Sequence, residues 1–184
     1  MTKKEIRDNI LKKRLDLDQE KYEKYSQKIV EKLRNQIKKW DFDSIALYYP
    51  INKEVDVLPL IEELLKTQKK VYLPKVLGKQ MKMGRVKSLD RLIKGKFNIP
   101  EPIEEEFSSK IDLYIIPAIA YDFKGYRLGY GGGYYDRYFL QNPKTHLIGV
   151  IFNFQLISSF PTHSNDLKVD FIITEKSEIE ILNV

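Results

Sequence analysis

Between residues 3 and 37 the apolar positions recur at helical spacing. Ile6, Ile10 and Leu11 form one stripe, and Thr2 with Glu5 has the spacing of a capping box, so a helix is predicted to open the chain. Tyr22, Tyr25, Ile29, Leu33 and Ile37 mark a second face and predict another helix from about Asp18. On that face the tyrosines read as packing residues. After Trp40 the period changes. "SIALYYP" is a short β-favouring run closed by Pro50, which predicts a buried strand. Helical spacing returns in "DVLPLIEELLKTQ" through Leu60, Ile61, Leu64 and Leu65. "KKVYLPKV" predicts a strand and "QMKMGRV" a weaker one. "IDLYIIPAIAYD" predicts a strongly apolar strand that ends near Ala120 and runs into a loop, and "THLIGVIF" and "VDFIITE" add two more strands. Short apolar strands alternating with helices indicate an α/β protein. The expected architecture is a single domain over residues 1–184, with a mostly parallel central sheet flanked by helices in a Rossmann-like three-layer arrangement. Residues 94–110, with "IPEPIEEEFSS", read as a surface excursion.

Composition narrows the chemistry. The chain has no Cys, so disulfides, thiolate nucleophiles and Cys-based zinc sites are excluded. It has neither a leader-like apolar segment nor a long uncharged apolar run, so a cytoplasmic protein that does not span a membrane is expected. The net charge of +6 raises the possibility of nucleic-acid binding. Residues 1–40 hold 13 Lys/Arg against 7 Asp/Glu, whereas the remainder holds 19 of each. A basic excess confined to two helices reads as a solvated face, so no nucleic-acid partner is expected.

The segment "GYRLGYGGGYYDRY" places five glycines within nine residues. One tight turn explains one or two of them. A loop with bare amide groups lining a concavity explains all five, and such a nest at a helix start binds phosphate. The preceding apolar strand and the following "YYDRYFL" supply that context. The dinucleotide fingerprint does not fit, because Tyr134 occupies the third glycine position, and the P-loop lysine is missing. Asp136 sits where a carboxylate repels phosphate unless Mg²⁺ lies between them, although a carboxylate facing a helix dipole explains it equally. Tyr134 reads as a ligand contact, and Tyr135 as either contact or core. By themselves Lys3 and Arg7 read as solvated and Glu54 as a surface acid. His163 and Arg137 read as surface residues, and Asp170 as structural.

The glycine segment, together with "YYPINKEVDV", "FNIPEP", "IIPAIAYD", "SNDLKVDFIITE" and the Lys3/Arg7 pair in this order, resembles the 5-formyltetrahydrofolate cyclo-ligase family. The resemblance covers nearly the whole chain. It implies an α/β enzyme that couples ATP hydrolysis to conversion of 5-formyltetrahydrofolate into 5,10-methenyltetrahydrofolate. It further implies ATP contacts from Lys3, Arg7, Arg127, Leu128, Gly129, Tyr130, Gly131, Gly132, Gly133, Tyr134 and Tyr135. Tyr49, Glu54 and the stretch Tyr130, Gly131, Gly132, Gly133 and Tyr134 would meet the folate, and Asp136 and Asp166 would hold Mg²⁺. Some relatives carry basic residues where this chain has Tyr130 and Gly132. No covalent catalyst is assigned; alignment and charge stabilisation are expected to suffice. Partners would be ATP and a reduced folate, with a monomer as the default state. The competing readings are another phosphate-ligand enzyme on a similar α/β scaffold and a basic nucleic-acid-binding module.

Overall fold

A computed structural model describes residues 1–182. Thr2 caps helix α1 (Lys3–Leu15) by accepting from the Glu5 amide at 3.2 Å, and Asp18 caps α2 (Gln19–Ile37) through the Lys21 amide at 3.1 Å. Both starts agree with the sequence expectation.

The central sheet is built from β1 (Ser44–Ala46), β2 (Lys70–Leu77), β3 (Gln80–Val86), β6 (Leu113–Ile116), β9 (His146–Val150), β11 (Phe171–Ile173) and β12 (Glu178–Glu180). Its order is β12-β11-β9-β6-β1-β2-β3. The inner pairs are parallel, and each edge strand, β3 and β12, joins antiparallel. The expected α/β class and mostly parallel sheet are therefore observed. The strand expected to be weak, β3, is paired along all seven residues with β2.

Period-two burial explains why both faces are covered. Ile45, Val71, Leu73, Leu113, Ile115, Ile148 and Val150 point into one core with α2 and α3 (Leu58–Leu65). Their neighbours Ala46, Tyr72, Tyr114, Ile116 and Leu147 point into a second core under α4 (Tyr134–Gln141). Each fully buried Ile or Leu contributes roughly 1.5–3 kcal/mol. Asp170 accepts from the Leu147 amide at 2.9 Å and ties β11 to β9, in keeping with a structural role.

Two expectations need correction. "IDLYIIPAIAYD" is not one strand. β6 ends at Ile116, the chain turns at Pro117, and β7 (Ala120–Asp122) joins a separate small sheet with β8 (Arg127–Leu128) and β10 (Leu156–Ile157). Proline cannot donate to a ladder, so the apolar run divides there. The α1 stripe, Ile6 and Ile10, packs against this small sheet with Ile119, Ala120 and Leu128.

Residues 94–110 are also more than a surface excursion. β4 (Leu92–Lys94) pairs with β5 (Pro100–Pro102), and Glu101 and Pro102 are buried. Glu101 accepts from the Val76 amide at 2.9 Å, which pins the excursion to β2. No helix among the described residues is long and apolar enough to cross a membrane.

Candidate active site

From β1 the chain moves outward to β2 on one side, and later enters β6 on the other side of β1. Such a reversal opens a crevice beyond the carboxyl ends of the strands, where α/β sheets bind ligands. A cavity of about 660 Å³ lies there. The segments that follow β1 and β6 line it through Tyr48, Tyr49 and Pro117, and α1 contributes Lys3 and Arg7. The β8–α4 loop and the excursion, through Phe97, Ile99 and Pro100, complete the wall.

The same cavity wall brings together Lys3, Arg7, Tyr49, Glu54, every residue from Arg127 to Tyr135, Asp136 and Asp166. Lys3 and Arg7, which read alone as solvated, turn inward. Lys3 Nζ pairs with Asp166 at 3.0 Å, and Arg7 Nε donates to the Gly129 carbonyl at 2.8 Å. The solvated-face reading of the N-terminal charges still holds for Lys4, Lys12 and Lys13, which are exposed.

The glycine loop runs from β8 into α4. Gly131 and Gly133 have φ of 107° and 70°, in the left-handed region where a Cβ is strained, and Gly133 is the α4 N-cap. Arg137, which reads from sequence as a surface residue, holds this loop from outside by donating to the Gly132 carbonyl at 2.7 Å. Arg127 donates to the Pro117 carbonyl at 2.7 Å and lies 4.5 Å from the centroid of the Tyr135 ring. Tyr135 is both core and cavity wall, which accounts for its double reading.

Glu54 is no surface acid. It is 5% exposed and accepts from the Ile51 amide at 3.0 Å. Burial pushes its carboxyl up to about 7, against the opposing pull of the Arg14 guanidinium. Asp166 behaves oppositely. Burial works to raise it, but the His163 amide and Lys3 hold it below the usual carboxylate range.

Asp136 accepts from the Leu167 amide at 3.0 Å, so both acidic residues are anchored by the 163–167 turn. The hydrogen bonds of the two carboxylates use one oxygen each, Oδ1 of Asp136 and Oδ2 of Asp166. No group of three or more His, Cys, Asp or Glu side chains forms a metal cage among the described residues. Mg²⁺ commonly takes one or two carboxylates together with oxygens from a ligand, so this donor pair beside the glycine loop fits it.

Sequence reasoning missed Arg14 and Phe97. Arg14 follows Lys3 and Arg7 at steps that keep one helix face, which was the available signal. Phe97 is 63% exposed at the cavity mouth, with φ of 62°, and meets Tyr134 edge-on at 6.1 Å. Lys96 donates to the Tyr134 hydroxyl at 3.1 Å. One part of the wall thus offers amides and cations suited to phosphates, with two carboxylates beside them suited to a divalent cation. Another offers flat and apolar side chains with a single buried carboxyl, suited to a polar heterocycle.

Comparison with known proteins gives a consistent result. The sequence profile of the 5-formyltetrahydrofolate cyclo-ligase family matches residues 1–175. The chain is 33% identical over 182 residues to the 5-formyltetrahydrofolate cyclo-ligase of Mycoplasma pneumoniae, covering 96% of this chain and 100% of that one. It is 31% identical over 142 residues to the Escherichia coli K12 protein of the same name, covering 71% and 77% respectively. Among solved structures, the NMR structure of Aquifex aeolicus 5,10-methenyltetrahydrofolate synthetase superposes with a TM-score of 0.88 at 38% identity, over 100% of this chain and 95% of that one.

Proposed function

The chain belongs to the 5-formyltetrahydrofolate cyclo-ligase family, and from that premise we propose that it converts 5-formyltetrahydrofolate to 5,10-methenyltetrahydrofolate, consuming ATP with the help of Mg²⁺, both bound in the cavity between these segments. The observation that carries the reading is the composite wall, in which a glycine loop with Lys3, Arg7 and Arg127 adjoins the buried Glu54 and the tyrosines. The proposal takes residues 1–184 as one catalytic domain.

The reaction explains why such a wall suffices. The formyl group on N5 is amide-like, and closing the ring expels its oxygen, which leaves badly as hydroxide. Transfer of the γ-phosphoryl group from ATP to that oxygen breaks the terminal phosphoanhydride bond, releases ADP and leaves an electrophilic iminium carbon. N10 attacks that carbon, the C–O bond breaks with departure of inorganic phosphate, and the N10 proton is lost. No covalent enzyme intermediate is needed, so the protein's work is alignment and charge stabilisation.

The loop from Gly129 to Gly133 provides backbone amides for the phosphates, and Lys3, Arg7 and Arg127 offset their charge. Tyr49, Glu54 and Tyr134 grip the pterin, whose amino and ring N–H groups Glu54 accepts when ionised. Asp136 and Asp166 would hold Mg²⁺, whose charge neutralises phosphate oxygens when bound. The direct test is purified protein with ATP, Mg²⁺ and 5-formyltetrahydrofolate, followed by the near-ultraviolet absorbance of the methenyl product. Growth of that absorbance with matching ADP release is expected. Its absence when folate and nucleotide both bind would defeat the proposal.

A further inference from the structure

Arg14 is only 1% exposed, the least accessible charged side chain among the described residues. A guanidinium in that setting is strongly unfavourable unless it is neutralised and hydrogen-bonded. Three segments distant in sequence satisfy it. Nε donates to the Asn52 carbonyl at 2.9 Å, one terminal nitrogen donates to the Ala118 carbonyl at 3.2 Å, and the other donates to the Tyr130 hydroxyl. The carboxyl of Glu54 acts on the same guanidinium through its charge.

The segments so joined are the irregular ones. Asn52 and Lys53 are left-handed, with φ of 48° and 57°, and Gly131, the residue after Tyr130, is left-handed too. The Tyr22 hydroxyl donates to the Glu54 carbonyl at 2.8 Å, which fastens the Asn52–Glu54 turn to α2. Two of Arg14's acceptors are therefore backbone carbonyls held by the fold. The third is a side-chain hydroxyl on a glycine-loop residue that is 43% exposed.

The geometry points to Arg14 as a positioning residue that couples the glycine loop to the Asn52–Glu54 turn through the Tyr130 hydroxyl, so that nucleotide and folate each tighten the binding of the other. This inference rests on both ligands occupying the proposed cavity. Phosphates that order the loop fix Tyr130, Tyr130 fixes the guanidinium fork, and the fork fixes the turn that presents Glu54. Such coupling is reciprocal, so it can be measured from either ligand.

The experiment is calorimetric titration of adenylyl imidodiphosphate with Mg²⁺, in the absence and presence of saturating 5-formyltetrahydrofolate. Wild type should bind the nucleotide at least about fivefold tighter with folate present. In Tyr130→Phe and Arg14→Lys that factor should fall to within about twofold of one, while thermal unfolding stays cooperative. Tyr130→Phe removes one hydroxyl from a half-exposed residue and decides the matter if Arg14→Lys does not fold. A wild-type factor near one, or an undiminished factor in Tyr130→Phe, overturns the coupling and leaves the proposed function standing. Folate that fails to bind wild type both alone and with saturating nucleotide overturns both.

Discussion

Glu54 carries the sharpest residue-level consequence. Its carboxyl is raised in the folded protein to about 7, from an ordinary value of 4.5. The folded state therefore holds a proton that the unfolded state has released between these values, and stability falls as pH rises through that window. The favourable contribution is complete below about pH 4.5 and is lost above about pH 7, on the order of 3 kcal/mol in all. Glu54→Gln should flatten this dependence in denaturant unfolding measured from pH 5 to 8. An equal slope in the variant would assign the titration to another group. Catalysis should run the opposite way, because in the proposed binding mode only the ionised form can accept from both the amino and the ring N–H of the pterin: kcat/KM for the folate should rise through about pH 7 and lose that inflection in the variant. Asp136→Asn gives a separate test, since the amide oxygen can still accept from Leu167 and preserve the fold. It should raise the Mg²⁺ concentration for half-maximal turnover about tenfold, in line with loss of a ligand; an unchanged titration removes Asp136 from the metal site. Glu54 was legible only through resemblance, because nothing local marks an acid after Pro50 as buried. Arg14 was hidden for a similar reason: its spacing from Lys3 and Arg7 is written in the helix, but its three acceptors lie 38 to 116 residues away.

At the scale of elements, local signals were reliable where local chemistry decides. Thr2 and Asp18 declared the helix starts because capping involves residues three apart. The glycine loop declared itself because five glycines oppose any regular element. The signal weakened at "IIPAIAYD", where hydropathy is continuous and only Pro117 marks the passage from one sheet to another. It failed for residues 94–110, since the burial of Glu101 depends on an amide of β2. The glycine loop then yields a controlled comparison. At Gly131 a Cβ would stand 3.6 Å from the Arg7 guanidinium, an ordinary contact, so Gly131→Ala acts through backbone strain of roughly 1–3 kcal/mol. Gly78 has φ of 65°, inside the left-handed region, and open space around its Cβ position, so Gly78→Ala carries a milder strain of the same kind away from the cavity wall. Both variants should lose thermal stability, Gly131→Ala more than Gly78→Ala, but only Gly131→Ala should raise the KM for ATP, by tenfold or more. Equal KM values would mean that the loop's conformation does not hold the nucleotide.

For the whole molecule, the α/β class could be read from alternating periods, but the strand order could not. Near-continuous apolar strands fit any inner position of a parallel sheet, and the reversal at β1 is fixed by which neighbours each strand finds across the fold. That reversal is what gathers α1, the turn after β1, the excursion and the glycine loop around one cavity. Ligands bound in that cavity as proposed would be held by four segments so far apart in sequence that the unfolded chain has no counterpart of the site. Stability should then grow with ligand as mass action requires, by about 2.7 kcal/mol at one hundred times Kd. For a chain of this length that corresponds to roughly 5–10 °C in Tm. Scanning calorimetry with Mg²⁺ and adenylyl imidodiphosphate, with 5-formyltetrahydrofolate, and with both should show a shift for each ligand. A sugar phosphate at the same concentration should give a much smaller shift, because a single phosphate engages only part of the glycine loop and its cations and leaves the Glu54 and tyrosine wall unfilled. Protection by the sugar phosphate without protection by the folate would reverse the assignment, leaving the same scaffold and anion loop in the service of a different substrate.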